Sequence, residues 1–246
     1  MALKASQEDQ ALLLDLQAID TKLAQLQHRA KSLPQHATLQ QLAVENSELL
    51  VTLAEQKGVL EDARLELSRV ESDVAVVEAR ITRDSARLQA SSSVKDVAAL
   101  EQELAALKKR QFDLEEIELS VMERVEEQGA VVGRQADQAG ALQGRMADIE
   151  GERDEAMKAI DAERNNATAN RLTIAGKVPA DLLALYEKQR ERYGTGASHL
   201  RGGVSSASGV KLNENDMVAI RNSAPDDVLM CPDSNAILVR TSESGL

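Results

Sequence analysis

Apolar and polar positions alternate along most of the chain with a single long-range period. Stepping three and four residues in turn from Val97 meets Leu100, Leu104, Leu107, Gln111, Leu114, Glu118, Val121 and Val125. The same step continues through Gln128, Val132, Gln135, Ala139, Leu142, Met146, Ile149, Arg153, Ala156 and Ile160. A 3.5-residue repeat held over about nine heptads keeps one stripe facing a partner helix, so residues 94–168 read as one coiled-coil helix. At about 1.5 Å per residue it is on the order of 110 Å long.

Two earlier runs supply its partner. Helix one, residues 6–33, carries the seam Leu12, Leu16, Ile19, Leu23, Leu26, Ala30 and Leu33, with Ser6 and Asp9 spaced as a capping box. Pro34 interrupts it, because proline lacks an amide hydrogen and restricts the residue before it. Helix two, residues 37–90, carries Leu39, Leu42, Asn46, Leu49, Leu53, Gln56, Leu60 and Ala63, then Leu67, Val70, Val74, Val77, Ile81, Asp84 and Leu88. Asn46 and Gln56 have two readings: partners that fix register across the seam, or slightly wet sites in a long coil. Ser91-Ser92-Ser93 marks a turn, with Ser93 and Asp96 placed to cap helix three. A short turn between heptad helices predicts an antiparallel hairpin. Helices one and two, laid end to end with a bend near Pro34, match the length of helix three.

The later half of helix three carries Gly129, Gly133, Gly140, Gly144 and Gly151. The GxxxG spacing does not read as a membrane motif, because Arg134, Gln135, Asp137 and Gln138 surround it. Close helix approach or local softness is the expectation. The basic cluster Lys108-Lys109-Arg110 is expected to pair with Asp113, Glu115 and Glu116 at helical spacing.

From 165 to 177 the heptad fades. Pro179 stands where the first residue of a fourth helix would, and that helix runs to about Tyr193, with Leu182, Leu183, Leu185 and Tyr186 on its apolar face. Gly194 and Gly196 end it. After a Gly- and Ser-rich stretch comes a short helix near 215–221. Two short β-type runs follow, 228–230 and 237–239, joined by Pro232-Asp233-Ser234-Asn235. The predicted fold is an all-α elongated antiparallel coiled-coil hairpin over 1–177, with a small C-terminal β-hairpin module in 178–246.

Composition agrees with a coil. Phe112, Tyr186 and Tyr193 are the only aromatic residues, too few for an ordinary globular core. The net charge of −12 disfavours wholesale wrapping by nucleic acid or an anionic membrane. No apolar run suits a signal peptide or a membrane span. One cysteine, Cys231, excludes an internal disulfide framework and fits a reducing compartment. The expectation is a soluble cytoplasmic protein. His28, His36 and His199 are scattered and no phosphate-binding glycine motif occurs, so no enzyme and no cofactor is expected.

The C-terminal stretches Ala224-Pro225-Asp226-Asp227-Val228, Cys231-Pro232-Asp233-Ser234 and Ile237-Leu238-Val239-Arg240 resemble the end of the bacterial zinc-ribbon coiled-coil family, in its actinobacterial form. Arg110-Gln111-Phe112-Asp113-Leu114-Glu115 and Val178-Pro179-Ala180-Asp181-Leu182-Leu183 match it upstream. The resemblance implies a helical hairpin bearing a ribbon with two CxxC pairs. Here the ligand positions fall on Ser205, Ser208, Cys231 and Ser234; serine hydroxyls are not usual zinc ligands, so no structural metal is expected. Structural zinc supplies about 10–16 kcal/mol in zinc-finger peptides. Without it the module must dock on helix four, find a partner or stay partly mobile, with residues 202–209 the most mobile.

Three functional readings follow. The first is a non-enzymatic scaffold presenting a metal-free head to protein partners, in line with the adaptor roles in transcription, secretion and flagellar regulation that the resemblance implies. The alternative is nucleic-acid binding through Lys188, Arg190, Arg192, Arg201, Lys211, Arg221 and Arg240, opposed by interleaved acids and few aromatics for stacking. The third is homo-oligomerisation through apolar positions beside the seams: Leu13, Leu14 and Val76.

Overall fold

The computed structural model describes residues 3–246. Its helices are α1 (Gln7–Lys31), α2 (Pro34–Ala90), α3 (Val94–Ala175), α4 (Ala180–Tyr193) and α5 (Glu214–Asn222). Four short strands interleave with the last of them: β1 (Ala197–Arg201), β2 (Val204–Ser205), β3 (Leu229–Met230) and β4 (Ile237–Val239). The architecture is a long coiled-coil hairpin with a small C-terminal mixed sheet. The chain divides into two compact units. Gln35–Gly151 is the hairpin unit; the chain up to Pro34 with Glu152–Leu246 is the head unit. Among the described residues, no helix is long and apolar enough to cross a membrane.

In the hairpin unit, α2 begins at Pro34 itself, three residues before the expected start, because a proline in the first turn gives up an amide that has no partner there anyway. Ser93 caps α3 as predicted, its hydroxyl accepting from the Asp96 amide at 3.4 Å. Every buried apolar side chain of this unit lies on a predicted seam: Leu42, Leu53, Leu60 and Ala63 on α2, and Leu100, Leu104, Leu114, Val121 and Ala139 on α3. Each buried leucine contributes about 1.5–3 kcal/mol. Cross-helix pairs fix the antiparallel register: Arg80 with Glu103 at 2.8 Å, Gln111 with Glu78 at 3.3 Å, and Arg124 with Glu66. Partners rise in number on one helix as they fall on the other.

Of the alternatives for this unit, two fall away, and one expectation is corrected. Asn46 makes no register-fixing pair; its Oδ1 is buried without a hydrogen-bond partner. The α3 glycines do not bring helices together, since a methyl at Gly129, Gly133, Gly140, Gly144 or Gly151 would meet nothing within 4 Å. No ion pair forms from Lys108, Lys109 or Arg110 to the acids after them.

In the head unit, Ser6 caps α1: its hydroxyl accepts from the Asp9 amide at 3.0 Å and donates to the Asp9 carboxylate at 2.7 Å. α3 runs on to Ala175, past the point where the heptad fades, because Ile174 and Ala175 pack against the head core. Pro179 is the cap of α4 and not its first residue, with extended backbone at ψ 138°. Gly194 ends α4 in the left-handed region, as its placement predicted.

The sheet order is β2-β1-β4-β3, with β1 parallel to β4 and the other pairs antiparallel. The predicted β3–β4 hairpin is present; β1 and β2 were not foreseen, and they lie in the stretch read as Gly-rich connection. Residues 202–209, expected to be the loosest, are tied by bonds from the Gly209 amide to Ser205 O (2.8 Å) and the Ser205 amide to Val210 O (3.1 Å). One face of the sheet, with Ala197, Ile237 and Val239, packs on Leu13 and Leu16 of α1 and on Val178, Leu182 and Tyr186. The other, with Leu200 and Leu238, packs on Leu212, Met217 and Ile220. Leu13 is therefore fully buried and Leu14 is packed against the same cluster, so neither offers a surface for oligomerisation; Val76 in the hairpin unit is exposed.

Candidate interaction head

The head is fastened by a buried polar cluster. Burying Asp20 on α1 is favourable only with partners, and it has several. Arg171 of α3 donates to it from Nε (2.6 Å) and Nη2 (3.0 Å), and Tyr186 of α4 donates its hydroxyl at 2.7 Å. Arg171 also reaches Glu187 at 2.5 Å, and Arg190 grips Glu187 from two nitrogens at 2.9 and 2.8 Å. Burial pushes the Glu187 carboxyl up, but the bonds from Arg171 and Arg190 outweigh it and hold the group below its ordinary value. Burial and the bond to Asp20 push the Tyr186 phenol far up. Gln17 completes the joint, its Oε1 accepting from the amides of Gly196 (2.7 Å) and Ala197 (3.2 Å) at the start of β1. Gly196 is required there, because a Cβ would sit 2.5 Å from the Tyr186 ring.

The N-terminal arm pins the opposite edge. The Ala5 amide donates to Asp226 O and the Val228 amide to Leu3 O, while the Lys4 ammonium holds Asp226 at 3.0 Å. The hydrogen bond and charge of Lys4 pull the Asp226 carboxyl below its ordinary range. Asp227 closes the turn by accepting from the Ala224 amide at 2.9 Å. Arg240 fills the turn from inside: Nη1 and Nη2 donate to the carbonyls of Ser223 (3.2 Å), Ala224 (2.6 Å) and Asp227 (2.9 Å).

The four ligand positions implied by the resemblance hold a hydroxyl network. Cys231 is buried with its Sγ 3.3 Å from Ser205 Oγ, which lies 2.7 Å from Ser198 Oγ. Ser198 also accepts from the Ala207 amide. Burial pushes the Cys231 thiol up, and hydrogen bonding with Ser205, Ser234 and the backbone at Asp233 and Ser234 outweighs it, leaving the thiol below its ordinary value. Ser208 and Ser234 accept from the amides of Val210 and Ala236. Among the described residues no three His, Cys, Asp or Glu side chains converge as metal ligands. One thiol among hydroxyls already engaged with one another does not fit zinc.

The seven basic candidates are dispersed in their roles. Arg240 is buried and spent on backbone carbonyls, so it is a structural residue and not a surface contact. Arg190 belongs to the Glu187 cluster; Arg221 pairs with Glu214 at 3.1 Å and Arg201 with Glu243 at 2.5 Å. Arg192 lies over the Tyr193 ring at 5.3 Å. Lys188 and Lys211 have no carboxylate partner among the described residues.

The feature that sequence reasoning missed is apolar. A cleft between α5 and the edge strand β3 is lined by Ala219, Ile220, Leu229, Met230 and Pro232, with Asp216 and Ser223 at its rim. Met230 is exposed, as is Val218 on the same helix. Among the described residues β3 pairs with β4, and the N-terminal arm lies against the chain just before it, Lys4 bridging antiparallel to Asp227. The signal lay in Met230, an apolar residue on the outward side of a strand whose neighbours face in.

Residues 16–194 match the CT398-like coiled coil hairpin domain, and the chain belongs to that family. An uncharacterised protein of Mycobacterium tuberculosis is 34% identical over 239 residues, covering 97% of this chain and 98% of that protein. A structure from Mycobacterium smegmatis, 33% identical, superposes with a TM-score of 0.86 over 97% of this chain and 100% of its own. CT398 from Chlamydia trachomatis shares the fold at 17% identity, with a TM-score of 0.64 over 94% of this chain and 97% of its own.

Proposed function

We propose that this member of the CT398-like hairpin family is a non-enzymatic cytoplasmic scaffold whose head docks a protein partner at the cleft between α5 and β3. The observation that carries the reading is the exposed Met230 beside the apolar floor of Ile220 and Leu229. A partner segment would seat an apolar side chain in the cleft, displacing water from it. The buried clamp around Asp20 supports it, because a head held rigid gives up little entropy on binding. We further read the head as a ribbon in which Ser205, Ser208 and Ser234 stand for zinc thiolates, with Cys231 bonded to Ser205 and Ser205 to Ser198.

The test is capture from native extract with the intact chain, with and without nuclease, beside the Met230→Asp and Ala219→Arg variants. Specific proteins should be retained after nuclease and lost with either variant. Retention indifferent to both variants would move the site off the cleft. Material removed by nuclease, and weakened when Lys188 and Lys211 are neutralised, would replace the reading with nucleic-acid binding.

A further inference from the structure

We propose that the outer face of α2 is a second seam, pairing two copies of this chain antiparallel about a twofold axis at Leu65. The inference is independent of what the head binds. Val44, Val51 and Leu65 are 55%, 58% and 50% exposed, and with Gly58 they recur every seven residues on the side of α2 turned away from its own seam. The row continues as Ser72, Ala79 and Ala86, so its first half is large and its second half small. It spans about 63 Å of helix at 1.5 Å per residue. Isolated exposed apolar residues are ordinary; three in strict heptad register, ending in small ones, form a stripe.

The size gradient selects a second copy running the other way. With Leu65 on Leu65 at the axis, Gly58 meets Ser72, Val51 meets Ala79 and Val44 meets Ala86 of the opposing helix. Away from the axial leucine pair, each valine faces an alanine, which lets the helices approach with their side chains interleaved. A parallel pair would set valine on valine at one end and alanine on alanine at the other.

Charge selects the same arrangement. The row flanking the stripe on one side changes from acidic (Glu48, Glu55, Asp62) to basic (Arg69, Arg83) with Val76 between. In the antiparallel register Asp62 faces Arg69 and Glu48 faces Arg83, each pair occurring twice by symmetry. None of these four side chains makes an ion pair within its own chain among the described residues. The other flank, with Ser47, Ala54, Glu61, Ser68, Ala75 and Thr82, is small but for Glu61, which pairs with Arg64 of its own helix and in this register comes opposite Ser68. In a parallel pair each row would instead face the small flank of the partner helix, and these complementary pairs would not form.

Sedimentation of the full chain across a concentration series should give a reversible monomer–dimer equilibrium. Asp62→Arg reverses two symmetry-related pairs and should raise the dimer Kd about tenfold, each exposed pair being worth up to about 1 kcal/mol. The double variant Asp62→Arg with Arg69→Asp restores complementarity and should return Kd towards the starting value. Under mild oxidation Leu65→Cys should give a covalent dimer while Val51→Cys does not, with the wild-type chain as control for Cys231. Unchanged helical circular dichroism in each variant separates association from misfolding. A monomer at every concentration, a dimer indifferent to Asp62→Arg, or equal crosslinking by Val51→Cys and Leu65→Cys would each overturn the proposal.

Discussion

The hairpin unit and the head unit are stabilised in opposite ways. In the hairpin, buried leucines are separated by polar seam positions, and the ion pairs that set register, such as Arg80–Glu103, are about half exposed. Its stability is a sum of small, nearly independent increments, as in any quasi-linear structure. In the head, Tyr186, Leu13, Leu16, Ile237, Leu238 and Val239 are fully buried around one clamp of hydrogen-bonded charges. Removing one member leaves others unpaired. The same chain therefore contains a forgiving rod and an unforgiving joint.

The sharpest way to break that contrast is to delete one carboxylate from each unit. Asp20→Ala strands Arg171 and the Tyr186 hydroxyl in a buried site and should cost about 3 kcal/mol, the lower end for a broken buried pair because Glu187 still holds Arg171. Glu103→Ala removes an exposed partner and should cost less than about 1 kcal/mol. Tyr186 and Tyr193, the only tyrosines, both lie in the head, so tyrosine fluorescence during urea unfolding reports the head, while helical circular dichroism, dominated by α2 and α3, reports the hairpin. Equal losses would dissolve the distinction.

Gly196→Ala probes the joint without touching charge. The added methyl would fall 2.5–2.8 Å from the ring and carbonyl of Tyr186, and the carbonyl cannot yield as a flexible side chain would. A loss of about 2 kcal/mol is expected, typical of overpacking. Gly144→Ala in α3 meets nothing and replaces the poorer helix former, so it should gain about 1 kcal/mol.

These differences explain which parts were legible in sequence. The heptad of α2 and α3 was readable because a coiled coil writes its core in a local period, and every buried apolar residue of the hairpin falls on it. The head core is not local. Leu13 looked like a residue beside a seam because the seam of α1 shifts by one position to meet α4 and the sheet, which come more than 160 residues later. β1 was hidden by its small residues: Ala197 and Ser198 fit a tightly packed strand between β2 and β4 but carry little strand propensity. Asp20 and Arg171 carry no signal in sequence, because only the folded chain brings them together. The hydroxyls gathered near Cys231 were not legible, since they depend on Ser198, which no motif marks.

Asn46 offers a smaller effect of opposite sign. Its buried Oδ1 lacks a partner, so Asn46→Leu should stabilise the hairpin by about 1 kcal/mol, read by thermal melting of helical circular dichroism. If the variant melts lower, the site is hydrated and the bland reading of a wet seam position is the right one.

The smallest effect is a pH dependence confined to the head. Glu187 has a folded pKa below its ordinary 4.5, so its contribution is fully present above that value and is lost as pH falls through the folded one. Its side chain is about a third exposed, which limits the contribution to below about 1 kcal/mol after solvent screening. Tyr186 is shifted the other way: its contribution is present below the ordinary value of 10 and is lost as pH rises beyond it. The head should therefore lose stability below about pH 5 and beyond about pH 10, with a gain between on the way up to pH 9 from the Cys231 thiol, which is held below its ordinary value. Glu187→Gln should soften the acid limb alone, leaving the share that Asp226 contributes through Lys4. Tyr186→Phe should soften the alkaline limb, leaving the share of the Lys4 ammonium, at the expense of one bond to Asp20, about 1 kcal/mol. If both variants move both limbs together, the cluster titrates as one coupled group, and the joint is more cooperative than its pairwise geometry implies.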